Sequence, residues 1–136
     1  MKKDIFKKKG VFLIVDDDKS IRDFLKLFLK KKGFQNVETV ESGQEALAIV
    51  EKEDINLVLL DVRMPGMDGI EVLRAIKKIR KDIPVVMITA YPDEEKAKEA
   101  TKEGAYDYII KPFDLFYLEV TLLTKIIQLS SEKKDK

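Results

Sequence analysis

The sequence predicts an α/β protein built on a doubly wound parallel sheet, because short apolar runs alternate with amphipathic segments five times along the chain. The apolar runs are continuous rather than alternating, which is typical of strands buried on both faces. The connections have ordinary lengths, and each amphipathic segment is long enough for a crossover helix. A chain of 136 residues favours one domain, with helices on both faces of the sheet.

The first two predicted strands flank one helix. Val11–Val15 is apolar and rich in β-branched residues, which indicates a buried strand. Ser20 is the expected N-cap of a helix that runs through Lys32, with Asp18 left open as either a cap of the same helix or a solvated residue. Gly33 suits a left-handed C-terminal cap. Val37–Val40 follows as a short second strand.

The middle of the chain predicts a second helix, the central strand and a loop. Ser42 and Glu45 have the spacing of a capping box, which begins the second helix. Ile55–Leu60 is the most continuously apolar run, so we expect it at the centre of the sheet. Pro65, Gly66 and Gly69 then predict a loop.

The next elements are two helices and two strands. Apolar residues at helical spacing predict a third helix over Ile70–Ile79. Pro84 begins the fourth strand, and Pro92 suits the first turn of the fourth helix. Gly104 ends that helix, and the fifth strand covers about residues Tyr106–Ile110.

The two ends of the chain are polar. Asp114 is the expected cap of a last helix over Leu115–Leu129. A basic extension, residues 1–9, and a polar tail, residues 130–136, flank a predicted domain of residues 10–129. These terminal lysines predict solvated ends, since they lack the interleaved arginine and aromatic residues of a nucleic-acid-binding arm. We therefore expect no specific nucleic-acid binding by this chain alone.

Composition excludes several classes of function. The chain has no cysteine and no histidine, so it offers no thiolate metal site, no imidazole ligand and no histidine catalysis. No apolar stretch approaches the roughly 20 residues that a membrane-spanning helix needs. The basic start lacks the apolar core of a signal peptide. We expect a cytoplasmic protein that does not bind membranes.

Polar residues follow four of the predicted strands at the point where each strand ends. They are Asp16 and Asp17 after the first strand, Asp61 after the third, Thr89 after the fourth and Lys111 after the fifth. The carboxyl ends of parallel strands meet at one edge, where open α/β sheets bind their ligands. The pattern predicts a carboxylate cluster, a hydroxyl and an ammonium group in one cleft.

These residue types suit phosphoryl chemistry. Asp16, Asp17 and Asp61 offer the hard oxygen ligands that Mg²⁺ prefers. A carboxylate such as Asp61 can attack a phosphoryl group, and Lys111 can neutralise the phosphoryl oxygens. Taken singly, each has an ordinary structural explanation: an acidic turn, a solvated lysine, or, for Thr89, a β-branched strand residue.

Four motifs around these residues match a known family. They are Val-Asp-Asp-Asp, Leu-Leu-Asp-Val-Arg-Met-Pro-Gly-Met-Asp-Gly, Ile-Thr-Ala and Ile-Ile-Lys-Pro-Phe. They resemble the receiver domain of two-component response regulators, the CheY-like family, and the similarity covers residues 10–129. The resemblance implies a flavodoxin-like fold with a five-stranded parallel sheet of order 2-1-3-4-5 and helices on both faces.

The resemblance also implies a mechanism. Asp61 would accept a phosphoryl group from a sensor histidine kinase or a phosphotransfer protein, with Mg²⁺ as cofactor. Asp16, Asp17, Asp61 and the backbone carbonyl of Arg63 would bind the metal. Thr89 and Lys111 would contact the phosphoryl group, and the Lys111–Pro112 peptide bond is commonly cis in the family.

The family's switch involves an aromatic side chain three residues before the lysine. Here that residue is Tyr108, which would turn inward as Thr89 moves toward the phosphoryl group, although a tyrosine simply packed at the sheet edge fits the sequence as well. The changed surface would be that of the fourth helix, fifth strand and fifth helix. It would control an output partner that the sequence does not identify, and a phosphorylation-dependent homodimer is left open.

Two positions indicate the subtype. Arg63, two residues past Asp61, and Tyr91, two residues past Thr89, resemble receivers of the nitrogen-regulation (NtrC-like) class. They are also expected to tune the lifetime of the phosphoryl group. Such receivers usually precede an ATPase module and a DNA-binding domain, so a single-domain regulator and a receiver taken from a longer protein both remain open.

Two other functions fit part of the same residue pattern. A Mg²⁺-dependent phosphatase of the dehalogenase type also uses an aspartyl phosphate, but that family needs an aspartate where Arg63 stands and usually carries a cap domain. A receiver-like binding module that works without phosphorylation would not need the complete residue set. We expect self-catalysed phosphoryl transfer and slow hydrolysis, not an enzyme that turns over a metabolite.

Overall fold

The computed structural model describes residues 11–90, 93–111 and 117–121, and its five strands form one all-parallel sheet. The strand order is β2-β1-β3-β4-β5, which confirms the order that the resemblance implies. Hydrophobic residues are continuous in the inner strands because both faces of the sheet are covered. The strands are β1 Val11–Val15, β2 Val37–Val40, β3 Ile55–Asp61, β4 Val85–Thr89 and β5 Asp107–Ile110.

Helices connect successive strands. They are α1 Lys19–Lys31, α2 Gly43–Lys52, α3 Gly69–Ile79 and α4 Glu94–Lys102. Residues 117–121 are also helical and are called α5 here. In the part of the chain that the structure describes, no helix is both long and apolar enough to cross a bilayer.

Two hydrophobic clusters lie on opposite faces of the sheet, because neighbouring residues of a strand point to opposite sides. On one face, Leu13 and Leu60 pack with residues of α2, α3 and α4. On the other face, Ile14 and Leu59 pack with residues of α1 and with Leu118 of α5. The predicted doubly wound architecture, with helices on both faces, is therefore present.

The first helix begins two residues earlier than a cap at Ser20 predicts. Asp18, not Ser20, is the N-cap of α1, since its carboxylate accepts a hydrogen bond of 2.8 Å from the backbone amide of Ser20. An aspartate satisfies the orphan amides of the first turn as well as a serine does, and it stands nearer the end of β1. The predicted left-handed turn at Gly33 is present, with φ of 103°.

The fourth helix also begins differently. Asp93 caps α4 by accepting hydrogen bonds from the amides of Glu95 and Lys96, at 2.9 and 3.3 Å. The helix therefore begins at Glu94, and the prediction that Pro92 lies in its first turn is wrong. Some predicted features lie outside the described residues: Pro92 itself, the Asp114 cap and both ends of the last predicted helix. The same is true of the two terminal segments, residues 1–9 and 130–136.

Gly69, which the sequence places in the loop, is instead the first residue of α3, and it allows this helix to begin directly against the end of β3. A Cβ atom at Gly69 would overlap the backbone oxygen of Asp61 and lie 2.7 Å from the Cα atom of Val62. The amide of Gly69 donates to the carbonyl of Val62 at 2.9 Å. This close approach holds the β3–α3 loop beside the carboxyl end of the central strand, where Asp61 lies.

Candidate functional site

The sheet brings the predicted residues to one edge. Asp61 and Thr89 are the last residues of β3 and β4, while Asp16 and Asp17 follow β1 and Lys111 follows β5. Carboxylate oxygens of the three aspartates lie within 4.8 Å of one another. The Nζ atom of Lys111 lies 2.9 Å from Oδ2 of Asp16. Residues from three separate loops thus form one polar cluster.

Asp16 is the most firmly held member of this cluster. Its side chain is almost completely buried, with 2% of its surface exposed. All four of its hydrogen-bonding groups have partners, which leaves it one orientation. The backbone amide of Asp16 donates to the carbonyl of Val40 at 3.2 Å, and its backbone carbonyl accepts from Nη1 of Arg22 at 2.8 Å. In the side chain, Oδ1 accepts from the amide of Asp18 at 2.9 Å and Oδ2 accepts from Lys111.

Asp61 is buried next to like charges. Burial is the largest cause that raises its pKa to about 7, and the charge of Asp16 raises it further. Lys111 and the backbone amide of Arg63, which donates to Oδ1 at 3.3 Å, lower the pKa, while Asp17 adds a smaller increase. A cation placed between the carboxylates would relieve this repulsion, so the site favours binding of a positive ion.

Lys111 faces Asp16 rather than Asp61. Its side chain is 15% exposed and forms the ion pair with Asp16, while its charge also acts on Asp61. The amide of Lys111 donates to the carbonyl of Thr89 at 2.6 Å, which ties the end of β5 to the end of β4. The ammonium group therefore lies at the cleft beside the two buried carboxylates.

Thr89 and Tyr108 are neighbours on adjacent strands. Thr89 is completely buried, and its side chain lies near enough to Tyr108 to lower the pKa of the phenol, although burial makes the net shift upward. The buried hydroxyl of Tyr108 has no hydrogen-bond partner of good geometry among the residues that the structure describes.

Arg63 is exposed and lines a cleft of about 520 Å³ between the β3–α3 loop and α4. In that cleft the carboxylate of Asp68 joins two helices: it caps α3 by accepting from the amide of Ile70 at 2.9 Å, and it pairs with Lys96 of α4 at 2.8 Å. Sequence reasoning missed this pair, because the two residues lie 28 positions apart and nothing local connects them.

Sequence reasoning also missed Arg22. Its position on a predicted helix gives no sign that it reaches the carbonyl of Asp16. Tyr91, which the sequence places at the site, and Pro112, after Lys111, lie outside the described residues.

The donor set fits Mg²⁺. Three carboxylates supply hard oxygen ligands, and Mg²⁺ usually binds through one or two carboxylates and keeps several waters. Asp17 is exposed, so water and small ligands can reach the cluster from solvent. The absence of histidine and cysteine removes the ligands that zinc and copper prefer.

Comparison with known proteins gives the same family as the sequence motifs. The profile of the response regulator receiver domain matches residues 12–123. The transcriptional regulatory protein ZraR of Escherichia coli is 47% identical over 110 residues, which are 81% of this chain and 25% of that protein. The DNA-binding transcriptional regulator NtrC of Salmonella typhimurium is 41% identical over 107 residues, 79% of this chain and 23% of that protein.

Solved structures show the same fold. A CheY-like receiver domain from Methanospirillum hungatei is 34% identical and superimposes with a TM-score of 0.85, covering 90% of this chain and 98% of that one. The structure of a CheX–CheY–BeF₃–Mg complex from Borrelia burgdorferi contains a chain that is 32% identical, with a TM-score of 0.80 and coverage of 85% and 87%.

The matches to the curated relatives cover only one part of those longer proteins. The chain spans about a quarter of the length of the curated relatives that it matches. Its match to the receiver profile, in contrast, covers most of its residues, and its relatives ZraR and NtrC confirm the predicted similarity to the NtrC class. This chain belongs to the response regulator receiver domain family of two-component systems.

Proposed function

We propose that this receiver domain is a switch in which Asp61 accepts a phosphoryl group from a sensor histidine kinase or a phosphotransfer protein. The observation that carries the proposal is the geometry of the sheet edge. A buried carboxylate with a raised pKa lies beside two further carboxylates and a lysine. This arrangement has a nucleophile, a place for a divalent cation and a fixed positive charge, which phosphoryl transfer requires.

Asp16, Asp17, Asp61 and the backbone carbonyl of Arg63 would hold Mg²⁺. When bound, Mg²⁺ supplies charge neutralisation for the phosphoryl oxygens and for the crowded carboxylates. The chemistry of the donor set supports this choice of metal, because all of these ligands are oxygen atoms. A solved relative, the chemotaxis complex from Borrelia burgdorferi, contains Mg²⁺ and BeF₃ according to its description.

In the proposed transfer, a carboxylate oxygen of Asp61 attacks the phosphorus atom of a phosphohistidine. An O–P bond forms, the N–P bond breaks, and its electron pair returns to the imidazole nitrogen. Lys111 and the hydroxyl of Thr89 would contact the phosphoryl oxygens. Water later attacks the phosphorus atom, which releases inorganic phosphate and restores the carboxylate of Asp61.

The output surface consists of α4, β5 and α5. Thr89 pairs with Ile110 across β4 and β5 and lies diagonally beside Tyr108, so a movement of Thr89 toward the phosphoryl group would change the surroundings of the phenol. A phosphoryl group can shift this equilibrium only by interacting differently with the two arrangements. The relatives are named as transcriptional regulators, and we propose a cytoplasmic output of that kind for this receiver.

The test is phosphorylation with acetyl phosphate and Mg²⁺, read by intact mass. We expect one labile phosphoryl group on the parent protein and none on Asp61→Asn. Asp54→Asn is the matched control, because Asp54 is exposed and lies at the other end of the sheet, beside Arg80. Equal labelling of the parent and Asp61→Asn proteins would refute the assignment, and a parent that is never labelled would favour a binding module.

A further inference from the structure

We infer that Arg22 is a positioning residue for the metal-binding carboxylates, because it holds the peptide group that joins Asp16 to Asp17. This inference rests on the proposed function, since it assigns a purpose to the arrangement of those two side chains. Arg22 has no place in the set of residues that the family motifs identify. Its role follows from where its guanidinium group lies in this fold.

The guanidinium group reaches back from the first turns of α1 beneath the β1–α1 loop. Nη1 donates a hydrogen bond of 2.8 Å to the carbonyl oxygen of Asp16, and Nη2 lies 3.8 Å from Oε2 of Glu41, beyond β2. The Arg22 side chain is only 14% exposed, although it carries a full charge. A nearly buried arginine whose short contact is to a main-chain oxygen acts on the course of the backbone.

The carbonyl of Asp16 and the amide of Asp17 belong to one planar peptide unit. A hydrogen bond to that carbonyl therefore restricts the rotation that would turn either Cα–Cβ bond. Asp16 has three further hydrogen bonds to hold it, but Asp17 is exposed and depends on its backbone for direction. Removing the guanidinium group should thus loosen Asp17 more than Asp16.

Charge and position predict opposite effects of Arg22 on metal affinity. A positive charge near the site opposes a divalent cation, so its removal would tighten Mg²⁺ binding if charge were its only role. A residue that pre-orders the ligands has the opposite effect, since its loss means that binding must also order them. The direction of the change in affinity therefore distinguishes the two roles.

The experiment compares four proteins by Mg²⁺ titration calorimetry at fixed ionic strength: the parent, Arg22→Met, Arg22→Lys and Arg80→Met. We expect the dissociation constant to rise about tenfold in Arg22→Met, as for other residues that orient metal ligands. Arg22→Lys keeps the charge and one donor, so it should recover part of the affinity. Arg80→Met removes an equal charge at the opposite end of α3 and should bind Mg²⁺ like the parent.

A second measurement needs no metal. Amide exchange at Asp17 and Asp18, followed by NMR without Mg²⁺, should be faster in Arg22→Met and near parental in Arg80→Met. Thermal unfolding confirms that each variant folds, and if Arg22→Met does not, Arg22→Lys takes its place in both measurements with the same signs expected. Unchanged or tighter Mg²⁺ binding, or parental exchange at Asp17 and Asp18, would overturn the inference. A parent that binds no Mg²⁺ would instead count against the proposed function. The exchange measurement would still test whether Arg22 orders the backbone at Asp17 and Asp18.

Discussion

At the scale of single residues, the site depends on carboxylates that the fold forces together. Asp61 lies at the end of the central strand, where burial and the charge of Asp16 raise its pKa to about 7. The charge of Lys111 offsets this rise in the pKa of Asp61 only in part, because the closest contact of Lys111 is with Asp16. The folded protein without a divalent cation therefore carries an unfavourable ionised group near neutral pH.

This pKa predicts a pH-dependent stability. The pKa of Asp61 is higher in the folded state than its ordinary value of 3.8, so the folded state binds more protons between about pH 4 and pH 7. The contribution of Asp61 to stability therefore falls as the pH rises through that range. Without Mg²⁺ at pH 7.5, Asp61→Asn should increase the free energy of unfolding by about 1–3 kcal/mol.

Urea unfolding at two pH values tests this prediction. The stabilising effect of Asp61→Asn should shrink toward zero below about pH 3, where the carboxyl is protonated in both the folded and the unfolded state. Asp82→Asn is the control, because Asp82 is exposed and lies outside the acidic cluster. An Asp61→Asn protein that is no more stable than the parent at pH 7.5 would contradict the raised pKa.

A second prediction at this scale concerns the lifetime of the phosphoryl group. Arg63 and Tyr91 each follow a site residue by two positions, so we expect them where a hydrolytic water approaches Asp61. Neither is a good general base, and Arg63 can also bind a phosphoryl oxygen through its planar fork. Arg63→Asn with Tyr91→Glu should therefore speed dephosphorylation at least about tenfold, or about 1.4 kcal/mol of barrier.

The measurement is the decay of phosphoprotein after removal of the donor at fixed Mg²⁺. Each single variant is measured as well, so that the two contributions separate. Equal decay in the double variant and the parent would mean that both side chains serve only partner recognition.

At the scale of elements, α4 buries the fewest residues of the four helices that connect the strands. Of its nine residues, Ala100 alone is fully buried. Ion pairs also connect α4 to α3. Lys96 pairs with Asp68 at 2.8 Å, and Arg74 of α3 reaches Glu103 at 3.2 Å. Such partly exposed pairs contribute about 0–1 kcal/mol each, so α4 can move at small cost.

The response of this surface to phosphorylation gives a prediction for the elements. Beryllofluoride, which mimics the phosphoryl group, should change hydrogen exchange in α4 and β5 of the parent protein. Thr89→Ala should still bind beryllofluoride but lose most of that change, because the methyl group cannot transmit the contact to Tyr108. Thr101→Ala is the control, since Thr101 is exposed on α4 and bonds only to its own helix at 3.0 Å. A full response of β5 in Thr89→Ala would contradict this coupling.

At the scale of the whole molecule, every described helix packs against the sheet and the charges nearly balance. The formal net charge is +1, and lysines concentrate at the two ends of the sequence. We therefore predict no sequence-selective DNA complex of sub-micromolar affinity for this chain alone at physiological salt. Weak association that disappears as salt rises is compatible with the basic ends.

Fluorescence anisotropy with a labelled duplex tests this prediction, with a scrambled duplex of equal length as control. Removing residues 1–9 and residues 130–136 together should abolish any salt-sensitive signal. Selective binding of one duplex that survives physiological salt would show that the receiver itself reads DNA.

The sequence by itself determined the fold class, the strand order through the family resemblance, and the residues that line the carboxyl edge. These features follow from patterns within a few residues, such as the apolar run Ile55–Leu60 and the acidic residues that follow the strands. A parallel sheet converts such local positions into one edge, so Asp16 and Asp61 could be placed together from the sequence. The ends of helices are harder to predict from the sequence, because Asp18 and Ser20 are equally good caps in isolation.

Only the tertiary structure decided which side chains pair. Lys111 meets Asp16 across 95 positions, Lys96 meets Asp68 across 28, and both pairs depend on how distant segments of the chain are positioned in the fold. The same holds for Arg22, whose contact is with a carbonyl group that carries no sequence signature. The pKa of Asp61 depends on burial and on the distances among these charges, which exist only after the chain has folded.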